Sequence, residues 1–505
     1  METSKSEVTL AGDSRVWLFE DGFGPGKSEE YQGLMKLGDP TFNFGDITRV
    51  EAPDPNRYNA FRQVAAVQGG RENPTLSLMG RYPADVSKLL QLGRRGCQFG
   101  VHAHLGKCKD PQNFEEGWEK ILVFPGSRET SYSGENFGAL GSDEQNPANE
   151  TAEITAEDMY EVLRLGFSEL AETEVAREIA AITVCDAVEC GDCDSPSDGC
   201  QKVFAVMYGT GATPGTLPSL VYSEDGGLTW ASEDISTMFS NEEPDDIGCV
   251  GGYVVVISRE GGMHIRNIED LLDGVGSWVE NSNGLDLIPD GLGVVGGPIA
   301  LTSVDASHTW LVGQDGHIYF VKRVTSAIIV QDAGVATTQD LLDVDALNTQ
   351  NIVAVGDLNA VVHSTNGGDT WASVTGPAAG IDMTAVAMYG EAVWIVGTGD
   401  GRLFYTENMG VSWTEITLPA SYDQVDDIQF VDGVIGYLAA TAGGTGYILR
   451  TINGGASWYV LPELPGSIPD NDRINSLAVC DEEPNVVFGG GLGADGSDGI
   501  IVKGA

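Results

Sequence analysis

Four stretches of this chain repeat one pattern, and that pattern constrains the architecture of everything beyond its first third. They are Ser223-Glu-Asp225-Gly-Gly227-Leu-Thr229-Trp230, Ser364-Thr-Asn366-Gly-Gly368-Asp-Thr370-Trp371, Thr406-Glu-Asn408-Met-Gly410-Val-Ser412-Trp413 and Thr451-Ile-Asn453-Gly-Gly455-Ala-Ser457-Trp458. Each reads hydroxyl, x, Asp or Asn, x, Gly, x, hydroxyl, Trp. This is the chemistry of a tight turn between two strands: the Asp or Asn side chain bonds backbone N–H groups of its own turn, and glycine supplies a position with φ > 0. The Trp is a large apolar body able to fill the space between neighbouring sheets. Trp371 and Trp413 are 42 residues apart (413 − 371), and Trp413 and Trp458 are 45 apart (458 − 413). A repeat of roughly 40–50 residues is the length of one four-stranded propeller blade.

The repeat resembles the Asp-box (BNR-type) motif of sialidases, sortilin-type receptors and photosystem II assembly factors, and the resemblance implies a β-propeller. The 141-residue gap from Trp230 to Trp371 (371 − 230) leaves room for two degenerate copies. One ends at Trp278 after His264-Ile265-Arg266-Asn267; the other surrounds Ile318–Lys322 and has lost its Trp. Inner strands align at 179–185, 246–251, 299–304, 341–347, 383–388, 428–431 and 474–480, which makes seven blades. The seventh lacks a strand after Ile500-Ile-Val502, so closure is expected from a strand just before Glu178. On this reading the box residues are architectural.

Composition narrows the function. The chain has 75 acidic residues against 27 basic ones, a net charge of −48. Such a surface repels phosphate, which argues against sequence-specific nucleic-acid binding. The acids are spread along the chain, as suits a highly saline medium that screens self-repulsion. No apolar run approaches the roughly 20 residues of a membrane span, so no membrane partner is expected. The start, Met1-Glu-Thr-Ser-Lys, has no apolar signal core, so no secretory route is expected.

Residues 1–168 carry no box. Strands are expected at 16–19, 61–67, 75–82, 99–105 and 118–124. A helix is predicted over 83–92, opened by Pro83 and stopped by Gly93. A second candidate helix begins at Thr155 with Asp158 in a capping box, although the alternation after Met159 suits a strand equally. Two long acidic loops, 20–40 and 127–151, suggest assembly or binding. The order of these elements, with the Gly-rich Gly22-Phe-Gly-Pro-Gly26 and Cys97-Gln-Phe-Gly100-Val-His-Ala-His-Leu-Gly106-Lys-Cys108, resembles the tail tube protein of long-tailed viruses. That family is a β-sandwich or barrel with one helix. Its subunits form stacked rings, here expected to be hexameric, that conduct the genome.

Cys185, Cys249 and Cys480 occupy matching inner-strand positions and read as buried thiols. Cys190, Cys193 and Cys200 share an Asp-rich loop, where a disulfide from Cys200 to Cys190 or Cys193 is the leading reading, ahead of zinc. Cys97, His102, His104 and Cys108 could form a zinc site, but they lack a C-x2-C knuckle and read as a strand with a polar face; no cofactor is expected. Catalysis finds little footing. The propeller arginines are Arg259, Arg266, Arg323, Arg402, Arg450 and Arg473, and Arg402 and Arg450 read as mid-sheet rather than mouth residues. No nucleophile elbow, metalloprotease helix or phosphate loop is present.

These readings combine into an all-β protein: a tail-tube-like β-sandwich or barrel with one helix over 1–168, then a seven-bladed propeller over 169–505. The leading function is a non-enzymatic virion structural protein, a tail tube subunit assembled in the cytoplasm of a halophilic archaeal host. Its partners would be itself, other tail proteins and a host-surface glycan. The alternatives are a carbohydrate-binding or sialidase-like propeller, and a propeller assembly factor that binds a protein partner.

Overall fold

The structure is a computed structural model of the whole chain. It describes residues 15–19, 32–34, 41–43, 74–80, 99–106, 118–134, 150–156, 160–163 and 167–169 in the front part. Beyond these it describes 178–185, 201–208, 219–235, 243–259, 262–280, 297–305, 307–324, 327–431, 433–461, 472–480, 486–493 and 499–504. The described residues are essentially all-β, with one short α-helix and two 3-10 turns. Among them no helix is long and apolar enough to cross a membrane. Two compact units emerge: Met1–Arg164 with Ile452–Tyr459, and Leu165–Thr451 with Val460–Ala505.

The first unit holds β1 (Arg15–Phe19), β2 (Gln32–Leu34), β3 (Thr41–Asn43), β4 (Thr75–Gly80), β5 (Phe99–Gly106), β6 (Trp118–Gly134), β7 (Glu150–Thr155) and β8 (Tyr160–Leu163). They form one sheet ordered β2-β1-β5-β6-β7-β4-β3, with β8 also on β6. The 17-residue β6 is its spine, pairing β5 and β8 along one stretch and β7 along another. Val101, Ala103, Leu122, Val123, Phe124 and Ile154 form its buried apolar part. After Met159, where helix and strand were equally open, the chain is strand, with Val162 paired to Ile121 across β8–β6. Two loop expectations are corrected. Ser127–Gly134, expected in a loop, extends β6, and Gln32–Leu34, likewise expected in a loop, pairs with β1. The helix over 83–92 and the strand over 61–67 lie outside the described residues.

The second unit contains seven four-stranded antiparallel sheets. Six run consecutively: β10 (Ile179–Cys185) to β13 (Ala231–Asp234), β14 (Asp246–Val250) to β17 (Val279–Glu280), β18 (Pro298–Asp305) to β21 (Ala327–Val335), β22 (Leu341–Ala346) to β25 (Ala372–Thr375), β26 (Met383–Gly390) to β29 (Thr414–Ile416) and β30 (Gln424–Phe430) to β33 (Tyr459–Val460). The last joins β34 (Arg473–Val479), β35 (Val487–Leu492) and β36 (Gly499–Gly504) to β9 (Phe167–Glu169) from the start of the unit. Thus the closing strand lies farther upstream than the position before Glu178. Residues Val502, Lys503 and Gly504 pair with Glu169, Ser168 and Phe167. Each sheet's first strand adjoins the first strand of the next, and β34 adjoins β10, so the sheets close into a ring.

Burial peaks at the second strands. Second strands such as Ile352–Gly356 and Val393–Thr398 are nearly continuous apolar runs, buried because a neighbouring sheet covers each face. Fourth strands such as Ala231–Asp234 are short and exposed. Sheet-to-sheet packing is close enough that a Cβ on Gly397 would lie 2.4 Å from Val425 Cγ1 of the next sheet, so only glycine fits there.

Candidate functional site

The box turns join third strands to fourth strands, and the side-chain oxygens of their Ser, Thr, Asp and Asn residues bond within each turn. In the first, Ser223 Oγ accepts from Gly227 N at 2.8 Å and donates to Asp225 Oδ1 at 2.9 Å. Asp225 accepts from Thr229 N at 2.8 Å and from Thr229 Oγ1 at 2.6 Å. These bonds, Thr229's foremost, hold the Asp225 carboxyl below its ordinary range. Ser364, Asn366, Gly368 and Thr370 repeat the geometry, as do Thr406, Asn408, Gly410 and Ser412. In the fourth box, Asn453 Nδ2 donates to Ser457 Oγ at 2.9 Å, and Gly454 and Gly455 take positive φ. The tryptophans lie at seams. Trp230 packs where the last sheet meets the first, Trp371 between the third and fourth sheets, and Trp413 between the fourth and fifth. Trp458 is buried. In the degenerate copy before Trp278 a helix, α1 (Ile268–Leu272), replaces the turn, and Asn267 caps it by accepting from Asp270 N.

The inner strands carry a second device that the box pattern does not announce. A first strand is the inner edge of its sheet, so half of its N–H groups have no ladder partner. Aspartates from the preceding sheet supply acceptors. Asp246 accepts from Leu301 N at 2.9 Å, Asp343 from Val386 N at 2.7 Å, Asp345 from Met388 N at 2.6 Å and Asp427 from Leu477 N at 2.7 Å. Asp343 and Asp345 sit two apart and serve two N–H groups two apart, matching the period of an edge strand. Other latches complete most of the ring. Ser476 Oγ accepts from Ile182 N, and Thr384 Oγ1 donates to Val425 O. Burial pushes the Asp246 carboxyl up to about 7 and Asp427 up to about 6. Asp343 rises well above the ordinary range through burial and then the Asp427 charge, and Asp345 rises through burial.

A third acidic set marks the threshold of the first strands. Asp245, Asp340, Asp382 and Asp423 each stand just before one. They accept from Arg259 N, Asp315 N, Leu358 N and Gly443 N at turns between second and third strands. Arg259 also pairs through its guanidinium with Asp245. Asp357 is raised by burial and then by Asp382 and Asp340. Tyr208 is pushed up to about 12 by burial and then by Asp245. Beside these acids Leu358 is 61% exposed with φ 51°, a backbone region costly for leucine. This rim suits a cationic group flanked by apolar surface. The sequence carried the signal: an acid directly precedes β14, β22, β26, β30 and β34.

Among the described side chains the arginines do not converge. Arg266 is buried in a two-oxygen pair with Glu233, Arg473 pairs with Asp426 at 3.1 Å, and Arg450 lies over the Tyr437 ring. Arg402 is corrected from mid-sheet to the turn before β28 (Leu403–Thr406), paired with Asp400 at 2.7 Å. Arg323 lies on β20 (His317–Val324), in register with Ile328.

The cysteine reading is also corrected. Cys185 and Cys249, expected as thiols, form a disulfide between β10 and β14, and Cys480 is likewise disulfide-bonded. Equivalent positions on adjacent first strands meet in the closed ring, here with Cα atoms 5.8 Å apart. Cys190, Cys193 and Cys200 lie outside the described residues, as do Cys97 and Cys108. His102 and His104 lie on β5, and His102 is buried in register with Trp17 and Val123. Among the described residues no group of three His, Cys, Asp or Glu side chains could hold a metal ion.

No curated protein matches the chain. Solved structures similar to it include YCF48 from Cyanidioschyzon merolae, at 15% identity over 67% of this chain and 98% of that one, with a TM-score of 0.49. YCF48 bound to D1 peptide shows 14% identity over 68% of this chain and 97% of that one, with a TM-score of 0.48. U3-55K shows 10% identity over 67% and 98%, with a TM-score of 0.47. Residues 322–476, which contain three of the four boxes, match the family model described as photosynthesis system II assembly factor YCF48. The second unit is a BNR-type β-propeller.

Proposed function

We propose that the chain is a non-catalytic propeller scaffold that holds a protein partner during assembly of a larger complex. The seven sheets are read as seven blades. The observation that carries this is the match of residues 322–476 to an assembly-factor family, and it favours this reading over the tail tube subunit and the sialidase-like propeller. The tail tube, its stacked hexameric rings, the glycan partner, the virion location and the saline host rest on the sequence reading alone. Pairing of Arg259, Arg266, Arg402 and Arg473 with carboxylates, and of Arg450 with a ring, weighs further against a site for an acidic sugar.

The gripping surface is the rim of Asp340, Asp357, Asp382 and Leu358, beside Asp245, which Arg259 already occupies. Its charge selects a basic segment, and such contacts govern on-rate and salt dependence most strongly. A fluorescent Lys/Arg-rich peptide titrated into the full chain tests this by anisotropy. Binding that weakens by roughly tenfold in D340N/D357N/D382N, and falls with salt, is the expected result. Equal binding by wild type and variant would overturn the assignment of the rim.

A further inference from the structure

Each of the seven sheets ends in an outermost strand, and one of these strands differs from the rest. Strands β9, β13, β17, β25, β29 and β33 are two to four residues long. Strand β21 runs nine residues, Ala327–Val335. Short or charged edges keep unpaired backbone groups from recruiting another chain. β13 is both short and acidic, with Glu233 and Asp234. β21 is long, and its first five residues, Ala327-Ile-Ile-Val-Gln331, carry no charge; its single charged residue is Asp332. It pairs with β20 from Val324↔Ala327 to His317↔Val335 and ends its sheet's strand order, so among the described residues its other edge is open.

Charge selects the occupant. With a net −48, two copies of the chain repel over most of their surfaces. Across β20 and β21 the balance reverses: Lys322 and Arg323 stand in register with Ile329 and Ile328, against the single acid Asp332. An antiparallel two-fold pairing centred on Val330 is self-complementary, because each copy offers the same edge. It sets Asp332 of a second copy opposite Ile328, the residue in register with Arg323.

We infer that the β21 edge is a self-association surface, where a second copy of this chain pairs antiparallel about Val330 through main-chain hydrogen bonds. Sedimentation equilibrium of the full chain at about 0.1 M and about 1 M salt tests it. The expected mass is twice the chain's 53.4 kDa, with tighter association at high salt as repulsion is screened. Val330→Pro removes a backbone donor, and Val330→Lys sets like charges together at the two-fold axis while keeping that donor. Each should weaken the dimer by at least about tenfold with an unchanged thermal melt of the single chain. If the proline variant misfolds, the lysine variant decides. A wild type of single-chain mass at both salts, or a lysine variant that dimerises as wild type does, would overturn the inference.

Discussion

In the box turns and in the inner strands a side-chain oxygen of Asp or Asn closes a gap in the backbone hydrogen bonding, yet the two settings drive the carboxyl in opposite directions. Asp225 lies in an open turn, takes bonds from residues four positions away and is held below its ordinary range. Asp246, Asp343, Asp345 and Asp427 reach N–H groups of another sheet and are pushed up by burial. A local partner in an open setting gives a bond at little desolvation cost. An enclosed partner leaves a strong bond set against the expense of an enclosed charge. The box turn therefore builds one sheet, and the inner carboxylate joins two.

The comparison breaks most sharply at Asp343 and Asp345. Replacing both with Ala leaves Val386 N and Met388 N without acceptors and should cost about 2–4 kcal/mol in urea unfolding. Replacing both with Asn keeps an acceptor and removes the enclosed charge, so stability at pH 8 should match or exceed wild type. A next, smaller effect belongs to Asp225→Ala, about 1 kcal/mol. Its folded-state carboxyl lies below the ordinary 3.8, so its stabilisation is present above that value and fades only as pH falls beneath it. The stability gap between wild type and D225A should accordingly stay constant from pH 8 to pH 5 in calorimetry. Smallest is Met409→Gly. Met409 has φ 55° where the other three boxes place glycine. Relief of a left-handed methionine is offset by the added freedom of the unfolded glycine and by the lost packing of Met409 on the seam between the fourth and fifth sheets, so the net loss should stay below about 1 kcal/mol.

The boxes were legible because all their chemistry falls within eight consecutive residues, and the inner strands followed from the spacing. The latches were not, because the acceptor and its N–H lie 43 to 55 residues apart and a single Asp in a strand has no local signature. The Cys185–Cys249 pairing, 64 residues in separation, was hidden likewise, since apolar context suggested packing and only ring closure brings the two strands together. At Thr155 the local capping signal lost to a tertiary one, the pairing of β8 with β6. The rim was partly visible as the acid before most first strands, but its exposed Leu358 was not, because nothing in sequence marks a left-handed leucine.

The inner carboxylates as ring latches are the central claim, and the pH dependence of unfolding tests it most directly. Their folded-state values lie above the ordinary 3.8, near 7 for Asp246 and near 6 for Asp427, so the folded state binds more protons than the unfolded chain between those values. Wild-type stability should rise as pH falls from about 8 towards about 5, and D246N/D343N/D345N/D427N should fold at pH 8 with that slope clearly reduced, the remainder coming from groups such as Asp426 and Asp357. An identical slope in the variant, or a variant that fails to fold at pH 8, would contradict the claim.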